Sequence, residues 1–149
     1  TGKGYPDYST RLFLRKVHSI GIPILAMFDC DPHGLEILIS YSIGSINSFD
    51  QNVRMAVPEI EWIGLFVEDI SRFQLPHECL IPLAERDCRK LKQLSEKPWV
   101  SQHPVWKTQL LLLESYGYKA EIQSVSANNP KLLCEHYLPT KLVEIRNHF

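Results

Sequence analysis

The sequence predicts an α/β fold: a parallel sheet flanked by helices, followed by a mainly helical C-terminal part. Two short apolar runs, residues 22–28 and 60–67, have the pattern of buried strands, and segments of helical periodicity precede and separate them. Strands that alternate with helices favour parallel pairing through right-handed crossovers. After residue 67, prolines punctuate segments whose apolar residues recur mainly at helical spacing.

The first predicted helix follows Pro6 and Asp7 and ends at Gly21. Its apolar residues recur at helical spacing, and its basic residues are expected on the outer face. Gly21 can adopt the left-handed conformation in which helices commonly end. The apolar residues of this helix are Leu12, Phe13, Val17 and Ile20.

The first predicted strand, residues 22–28, is a continuous apolar run, which is typical of a strand buried on both faces of a parallel sheet. Asp31 then suits the N-cap of a second helix and Pro32 suits its first position. This second helix is expected to continue to Gly44. The second strand is predicted at residues 60–67.

The rest of the chain is predicted to be mainly helical. Gly117 is a natural end for one of these helices, and residues 119–125 fit either a helix or a strand. No internal repeat or linker is present, so a single domain over residues 1–149 is expected. The predicted helices cover residues 83–94, 105–116, 131–137 and 141–147.

The composition is that of an ordinary globular protein. The chain has 149 residues, of which 44% are hydrophobic and 22% are charged, and this excludes a disordered or fibrous chain. The longest apolar stretch, residues 20–28, contains a glycine and a proline and is far shorter than the roughly 20 residues that a membrane span needs. No membrane partner is therefore expected. The four cysteines form no C-x-x-C pair, so neither a zinc knuckle nor a disulfide framework is indicated.

The charges are distributed unevenly, although the net charge is only −1. Residues 29–69 carry eight acidic residues and one basic residue, Arg54, and both flanking parts of the chain are basic. An acidic segment beside basic ones suits a divalent metal ion that acts on a polyanion. Solvated helix faces would produce the same charge pattern.

Asp29 and Asp31 are the candidate metal ligands. Residues two apart on a strand point to the same face, and these two follow a predicted parallel strand, where α/β sheets bind ligands. Two close carboxylates repel each other unless a cation lies between them. Magnesium suits such a pair because its other preferred ligands are water and phosphate oxygens. The alternative is that Asp31 only caps a helix and Asp29 only ends a strand.

Two further features are candidates for binding an anion. Gly2, Lys3 and Gly4 precede the first helix, so backbone amides and one positive charge are available to a phosphate. A tight turn explains the same glycines. His33 lies two residues after Asp31 and is able to hydrogen-bond a phosphate, or it is simply solvated in the first turn of a helix.

Together these segments resemble one family, the A subunit of topoisomerase VI and its eukaryotic relative, the meiotic double-strand-break transesterase (Spo-eleven). The resemblance covers essentially the whole chain and implies a Toprim fold, an α/β metal-binding module. It rests on the segments Thr1-Gly-Lys-Gly-Tyr-Pro-Asp-x-Ser-Thr-Arg11, Asp29-Cys-Asp-Pro-His-Gly34, Trp62-Ile-Gly-Leu65 and Leu138-Pro-Thr-Lys-Leu142.

The resemblance also implies an activity. In this family a Toprim metal ion assists the attack of a tyrosine on a DNA phosphodiester, which leaves a 5′-phosphotyrosyl link and a free 3′-hydroxyl. Asp29 and Asp31 match the family's aspartates and are expected to bind Mg²⁺, for which Mn²⁺ would substitute. The residues expected to contact double-stranded DNA are Gly2, Lys3, Gly4, Arg11 and His33. The resemblance further implies a homodimer, a partner similar to the topoisomerase VI B subunit, and a meiotic role in the nucleus.

Two features of the family are expected upstream of residue 1. One is a glutamate at the end of the first Toprim strand, and the other is a winged-helix domain that carries the nucleophilic tyrosine. Residues 1–149 are therefore expected to form a Toprim domain that lacks its first strand and the upstream winged-helix domain. No catalytic residue is expected within them, and this chain by itself is predicted not to cleave DNA.

Two alternatives remain. Phosphatases of the haloacid dehalogenase type also place Asp-x-Asp after an apolar strand, but they normally carry Thr or Val where this chain has His33. The other alternative is a catalytically inert Toprim-like module that binds DNA or dimerises. Dependence on a metal ion separates an active site from an inert module.

Overall fold

The computed structural model describes residues 4–44 and 56–146. The chain forms two compact units. One consists of the described parts of Thr1–Met27 and Glu36–Trp62, and the other of Phe28–Leu35 and the described part of Ile63–Phe149. Among the described residues, no helix is long and apolar enough to cross a membrane.

The α-helices and strands of the described residues follow in chain order. The helices are α1 (Tyr8–Ser19), α2 (Pro32–Ser42), α3 (Val67–Arg72), α4 (Glu85–Ser95), α5 (Pro98–Ser101), α6 (Pro104–Tyr116) and α7 (Leu138–Arg146). The strands are β1 (Leu25–Met27), β2 (Glu61–Gly64), β3 (Leu80–Pro82) and β4 (Tyr118–Ala120). This architecture confirms the predicted α/β class and the mainly helical C-terminal part.

Helix α1 begins and ends where the sequence predicts. The Asp7 carboxylate accepts a hydrogen bond from the Thr10 amide at 2.7 Å, which is a normal N-cap. Gly21 follows the helix with a φ of 81°, in the left-handed region. The prediction that the basic residues of α1 lie on its outer face is wrong for Arg11, which is only 7% exposed.

Strands β1 and β2 pair in parallel, as predicted. The Glu61 amide donates to the Ile24 carbonyl at 2.9 Å, and beyond the strand ends the Phe28 amide donates to the Gly64 carbonyl at 2.8 Å. Both strands are shorter than their apolar runs. Leu25 is 39% exposed, so the expectation of a strand buried on both faces is wrong at this residue. An apolar run indicates a strand, but it does not show which of its side chains a neighbour covers.

The second unit contains strands β3 and β4, which pair antiparallel with Leu80 opposite Ala120. Residues 119–125 are thus part strand and part helix, because a 3₁₀ helix, Ile122–Ser126, follows β4. Gly117 ends α6 with a φ of 76°, as predicted. The sequence gives β3 no signal of its own, because three residues are too few to show a period.

The last part of the chain differs from the prediction of two helices on either side of residues 138 and 139. A π-helical turn, Leu133–Tyr137, runs directly into α7. Pro139 is the second residue of α7 and has no amide hydrogen, so it cannot donate to the turn before it at this junction. The predicted end of the last helix at Asn147 lies outside the described residues.

Candidate metal centre

Asp29 and Asp31 lie in the short connection between β1 and α2. Strand β1 ends at Met27, so the two aspartates lie beyond the strand and not on it. Cys30, between them, is 4% exposed, while both aspartates are half-buried. Cys30 forms an isolated antiparallel bridge with Ala120, through hydrogen bonds of 2.8 and 3.2 Å. This bridge fixes the backbone between the two carboxylates.

A backbone amide anchors the carboxylate of Asp29. Its Oδ1 accepts a hydrogen bond from the Ile122 amide at 2.7 Å. Ile122 follows β4 closely, so the strand that bridges Cys30 also leads to the residue that orients Asp29. Because Oδ1 is held in place, the position of the second oxygen, Oδ2, is restricted as well. A restricted carboxylate oxygen suits a metal ligand.

The carboxylate of Asp31 caps helix α2. Its Oδ1 accepts a hydrogen bond from the Gly34 amide at 2.5 Å, and Pro32 occupies the first helical position, as predicted. Capping and metal binding are compatible, because the cap engages only Oδ1. The two aspartates therefore share one arrangement, in which Oδ1 is held by an amide.

Gly34 is needed for this arrangement because of its size. A Cβ atom at position 34 would lie 2.3 Å from the Asp29 carbonyl oxygen and 3.3 Å from Asp31 Oδ1. The first turn of α2 thus packs directly against the backbone of Asp29. This contact explains why a glycine follows Asp31-Pro-His in the motif.

The electrostatic environment of Asp31 opposes its ionisation. Burial raises the pKa of Asp31, the Gly34 amide partly offsets that rise, and the negative charge of Asp29 raises the pKa further. His33 and Lys119 act in the opposite direction. A cation between the two carboxylates would relieve both the burial and the repulsion.

A second layer of residues supports the start of this connection. The Phe28 carbonyl accepts a hydrogen bond from the Leu65 amide at 2.7 Å, immediately after Gly64. A Cβ atom at Gly64 would lie 1.9 Å from the Tyr137 hydroxyl oxygen, so the two pack tightly. Tyr137 in turn donates to Asp69 Oδ2 at 2.7 Å.

Asp69 is the centre of a buried polar cluster that joins two of the quoted motifs. The Lys141 ammonium lies 2.5 Å from Asp69 Oδ1, and the Phe66 amide donates to Asp69 Oδ2 at 2.9 Å. Tyr137, Asp69 and Lys141 are 0%, 2% and 4% exposed. Gly64 and Lys141, from the quoted segments 62–65 and 138–142, therefore both lie beside Asp69. The sequence identified these two segments as motifs, but it did not predict that they are close in space.

His33 lies beside a second buried carboxylate. Its Nε2 is 3.9 Å from Asp87 Oδ1, and the Lys119 ammonium is 2.8 Å from Asp87 Oδ2. Asp87 is fully buried, whereas the His33 side chain is 44% exposed. Sequence reasoning missed Asp87 and Lys119, because nothing in the local pattern distinguishes them from the other charges of their segments.

The aspartate pair fits a small hard cation. Each carboxylate keeps a second oxygen beyond its amide anchor, and Mg²⁺ commonly binds to one or two carboxylates while it retains water and phosphate ligands. Within residues 4–44 and 56–146, no group of three or more His, Cys, Asp or Glu side chains is arranged to hold a metal ion. Two carboxylates suit an ion that completes its coordination with water or phosphate oxygens.

The predicted DNA-contacting residues are placed as follows. Gly2 and Lys3 lie outside the described residues. Gly4 has a φ of 101°, which an alanine would adopt only with strain. Arg11 is buried, and its predicted contact with DNA stays a prediction. His33 lies in the same unit as the two aspartates.

The fold defines an α/β module that carries two aspartates immediately after its first strand. The sequence pattern of one family, the Toprim domain of the topoisomerase 6 A subunit/Spo11 proteins, matches residues 1–142. This chain therefore belongs to the topoisomerase 6 A subunit/Spo11 family and contains its Toprim domain.

Three relatives illustrate the breadth of the family. The chain is 39% identical to the A subunit of DNA topoisomerase 6 from Arabidopsis thaliana and 37% identical to meiotic recombination protein SPO11 of Mus musculus, in each case over 95% of its length. It is 28% identical to the A subunit of type 2 DNA topoisomerase 6 from Aeropyrum pernix over 95% of its length. These matches cover 34%, 36% and 39% of the respective relatives, so the chain spans about a third of their length.

Proposed function

We propose that this chain is the metal-binding part of a type IIB topoisomerase-like protein that breaks DNA in meiosis. The observation that carries the proposal is the aspartate pair, in which the Ile122 and Gly34 amides hold one oxygen of each carboxylate. The membership of the chain in the topoisomerase 6 A subunit/Spo11 family supports the same function. The tyrosine nucleophile and a further carboxylate ligand would come from segments outside residues 1–149.

In this proposal Asp29 and Asp31 hold Mg²⁺, and Mn²⁺ substitutes for it. The ion would supply stabilisation of the charge that develops on the DNA phosphate when a tyrosine attacks it. The chain's own residues orient the carboxylates through amide anchors and keep them partly away from water. The partners proposed are double-stranded DNA, a second copy of the chain and a protein similar to the topoisomerase VI B subunit, in the nucleus.

Paramagnetic broadening by Mn²⁺ tests the metal site. Added Mn²⁺ should broaden the amide signals of residues 29–34, and the double variant Asp29→Asn/Asp31→Asn should abolish this effect. The matched control is Glu59→Gln/Glu61→Gln, which also removes two acids spaced two apart, in a different part of the chain. Broadening that persists in the aspartate variant would refute the site, and EDTA should reverse the broadening in the unmodified chain.

The strand-breaking activity requires the full-length protein and its B-like partner. Plasmid DNA incubated with Mg²⁺ and then denatured should carry protein at the 5′ ends, and Asp31→Asn should abolish this linkage. Asn retains the capping oxygen, so loss of activity would report the metal and not the helix. Cleavage by the Asp31→Asn protein at the normal rate would contradict the proposed role.

A second candidate function is an inert Toprim-like module that binds DNA or dimerises. The observation in its favour is that the Asp31 carboxylate caps α2 and the Asp29 carboxylate binds the Ile122 amide, roles that need no metal ion. It predicts DNA binding or dimerisation that EDTA leaves unchanged. Metal-dependent broadening at residues 29–34 would exclude it.

A further inference from the structure

Asp87 has one carboxylate oxygen that is paired twice and one that is not paired. Its Oδ2 accepts hydrogen bonds from the Ala84 amide at 3.0 Å and from the Lys119 ammonium at 2.8 Å. Its Oδ1 is buried and has no hydrogen-bond partner among the described residues. An unsatisfied buried acceptor costs free energy, so a nearby donor that can reach it stabilises the fold.

The polar side chain that faces this oxygen is the imidazole of His33. The distance of 3.9 Å between Nε2 and Oδ1 is too long for a hydrogen bond, and a movement of roughly 1 Å would close it. His33 lies in the first turn of α2, two residues after the proposed ligand Asp31. The unpaired Oδ1 of Asp87 therefore lies near the imidazole of His33, which is in the first turn of α2, close to the two aspartates.

We propose that Asp87 is a positioning residue that holds the His33 ring by accepting a hydrogen bond from its Nε2. In this tautomer Nδ1 carries no proton, so it accepts a hydrogen bond and suits a donor such as a water molecule held at the aspartate pair. The choice of that donor rests on the proposed function; the pairing of Asp87 with His33 does not.

Lys119 keeps Asp87 in the form that accepts hydrogen bonds. Burial alone would favour the neutral acid, but the hydrogen bond from Lys119 and the Ala84 amide outweigh it and lower the pKa of Asp87. The carboxylate is thus ionised at neutral pH. An ionised carboxylate accepts but does not donate, so it selects the tautomer of His33 that carries its proton on Nε2.

The variant Asp87→Asn distinguishes positioning from a purely structural role. The oxygen of the new side-chain amide must occupy the place of Oδ2, where Ala84 and Lys119 both donate. Its NH₂ group then faces His33 and requires an acceptor there, so the ring should change to the Nδ1–H tautomer. A residue that only caps α4 and binds Lys119 would leave the tautomer of His33 unchanged.

The measurement is a long-range ¹⁵N–¹H spectrum of the histidine side chains in the full-length protein, at a pH where imidazole is neutral. The signal of His33 is identified by its loss in His33→Gln. The Nε2–H form in the unmodified protein and the Nδ1–H form in Asp87→Asn would support the proposal. The same tautomer in both would overturn it, as expected if a water molecule satisfies Oδ1. Glu85→Gln, which removes an exposed acid from the same helix, is the control and should change nothing.

A double-mutant cycle on affinity for Mn²⁺, again in the full-length protein, tests what the positioned ring does. Asp87→Asn should weaken Mn²⁺ binding by about threefold to tenfold, the range of one hydrogen bond, and should have no further effect in a His33→Gln background. Additive losses would overturn the role of the ring at the aspartate pair. Failure of the proposed function is recognised separately, by Mn²⁺ affinity that Asp29→Asn/Asp31→Asn leaves unchanged.

Discussion

Asp69 and Asp87 are two almost fully buried aspartates with the same local role and different surroundings. Each is the third residue of its helix and accepts a hydrogen bond from the amide before the helix, at 2.9 Å from Phe66 and 3.0 Å from Ala84. Each also contacts a lysine distant in sequence. In both, the sequence places a carboxylate where it stabilises a helix start.

The difference lies in how the two oxygens of each carboxylate are used. Lys141 contacts Asp69 Oδ1, while Tyr137 and Phe66 donate to Oδ2. Both oxygens of Asp69 therefore have partners, and in this sense the cluster around Asp69 is closed. At Asp87 both donors use Oδ2, and Oδ1 faces His33. A closed buried network fixes a fold, whereas a buried acid with an unused oxygen is available to orient a neighbouring side chain.

The largest expected effect comes from opening the closed cluster. Lys141→Met leaves the charge of Asp69 buried without its cation, which should lower the free energy of unfolding by about 3–5 kcal/mol. Urea unfolding measures the change. Lys131→Met is the control, because its pair with Glu135 is exposed and should contribute at most about 1 kcal/mol. Similar losses in both variants would show that burial of the Asp69 cluster does not matter.

Tyr137→Phe should have the next largest effect. The substitution keeps the ring that packs against Phe73 at a centroid distance of 4.7 Å and removes only the hydroxyl that donates to Asp69. A hydrogen bond to a buried charge is worth about 1.5–3 kcal/mol, so a loss of this size is expected in urea unfolding. Tyr116→Phe, at a 40% exposed side chain, should change stability little. An unchanged stability of Tyr137→Phe would mean that Lys141 and Phe66 satisfy Asp69 alone.

Local parts of this arrangement were predictable from sequence, and long-range parts were not. The cap at Asp31, the first helical position of Pro32 and the end of α6 at Gly117 follow from residue types that suit one position in a helix. The contact of Tyr137 with Asp69 joins residues 68 positions apart. The periodicity of a sequence carries no information on such a contact. The motifs could therefore be recognised in the sequence, but their proximity in the fold could not be predicted.

The same distinction explains the candidate site. The spacing of Asp29 and Asp31 and their place after an apolar run were enough to select them. The anchoring of Asp29 was not predictable, because Ile122 lies 93 residues away along the chain. Strand β1 was predicted to begin too early, because the apolar run starts at Ile22, before Ile24, whose carbonyl accepts from the Glu61 amide.

Asp87 should also make the stability of the fold depend on pH, with a smaller effect than the two substitutions above. Burial opposes ionisation of Asp87, but Lys119 and Ala84 prevail and its pKa is lowered. A lowered pKa stabilises the fold above the ordinary carboxyl pKa of about 3.9, and this stabilisation is lost as the pH falls through the lowered value. Asp87→Asn should therefore cost about 1 kcal/mol at neutral pH, the difference between a hydrogen bond to a charged acceptor and one to a neutral acceptor.

The check is urea unfolding of both proteins from about pH 7 down to about pH 3, the range in which carboxylates become protonated. The gap in stability between the unmodified chain and Asp87→Asn should narrow as the acid limit is approached. Glu85→Gln, at an exposed acid on the same helix, serves for comparison. A gap that widens toward low pH would reverse the assigned sign.

The last prediction concerns the reactivity of Cys30, which lies between the two proposed ligands. Burial raises the pKa of its thiol to about 12, and the negative charges of Asp31 and Asp69 add to the rise. Because the thiolate is the reactive form, Cys30 should resist alkylation by iodoacetamide at mildly alkaline pH, while the exposed Cys88 reacts readily. Mass spectrometry of the digested protein reports the alkylation of both cysteines.

Lys141→Met, which removes a partner of Asp69, should make Cys30 reactive. Rapid labelling of Cys30 in the unmodified chain would mean that the connection carrying Asp29 and Asp31 opens frequently, and that the closed cluster does not hold it.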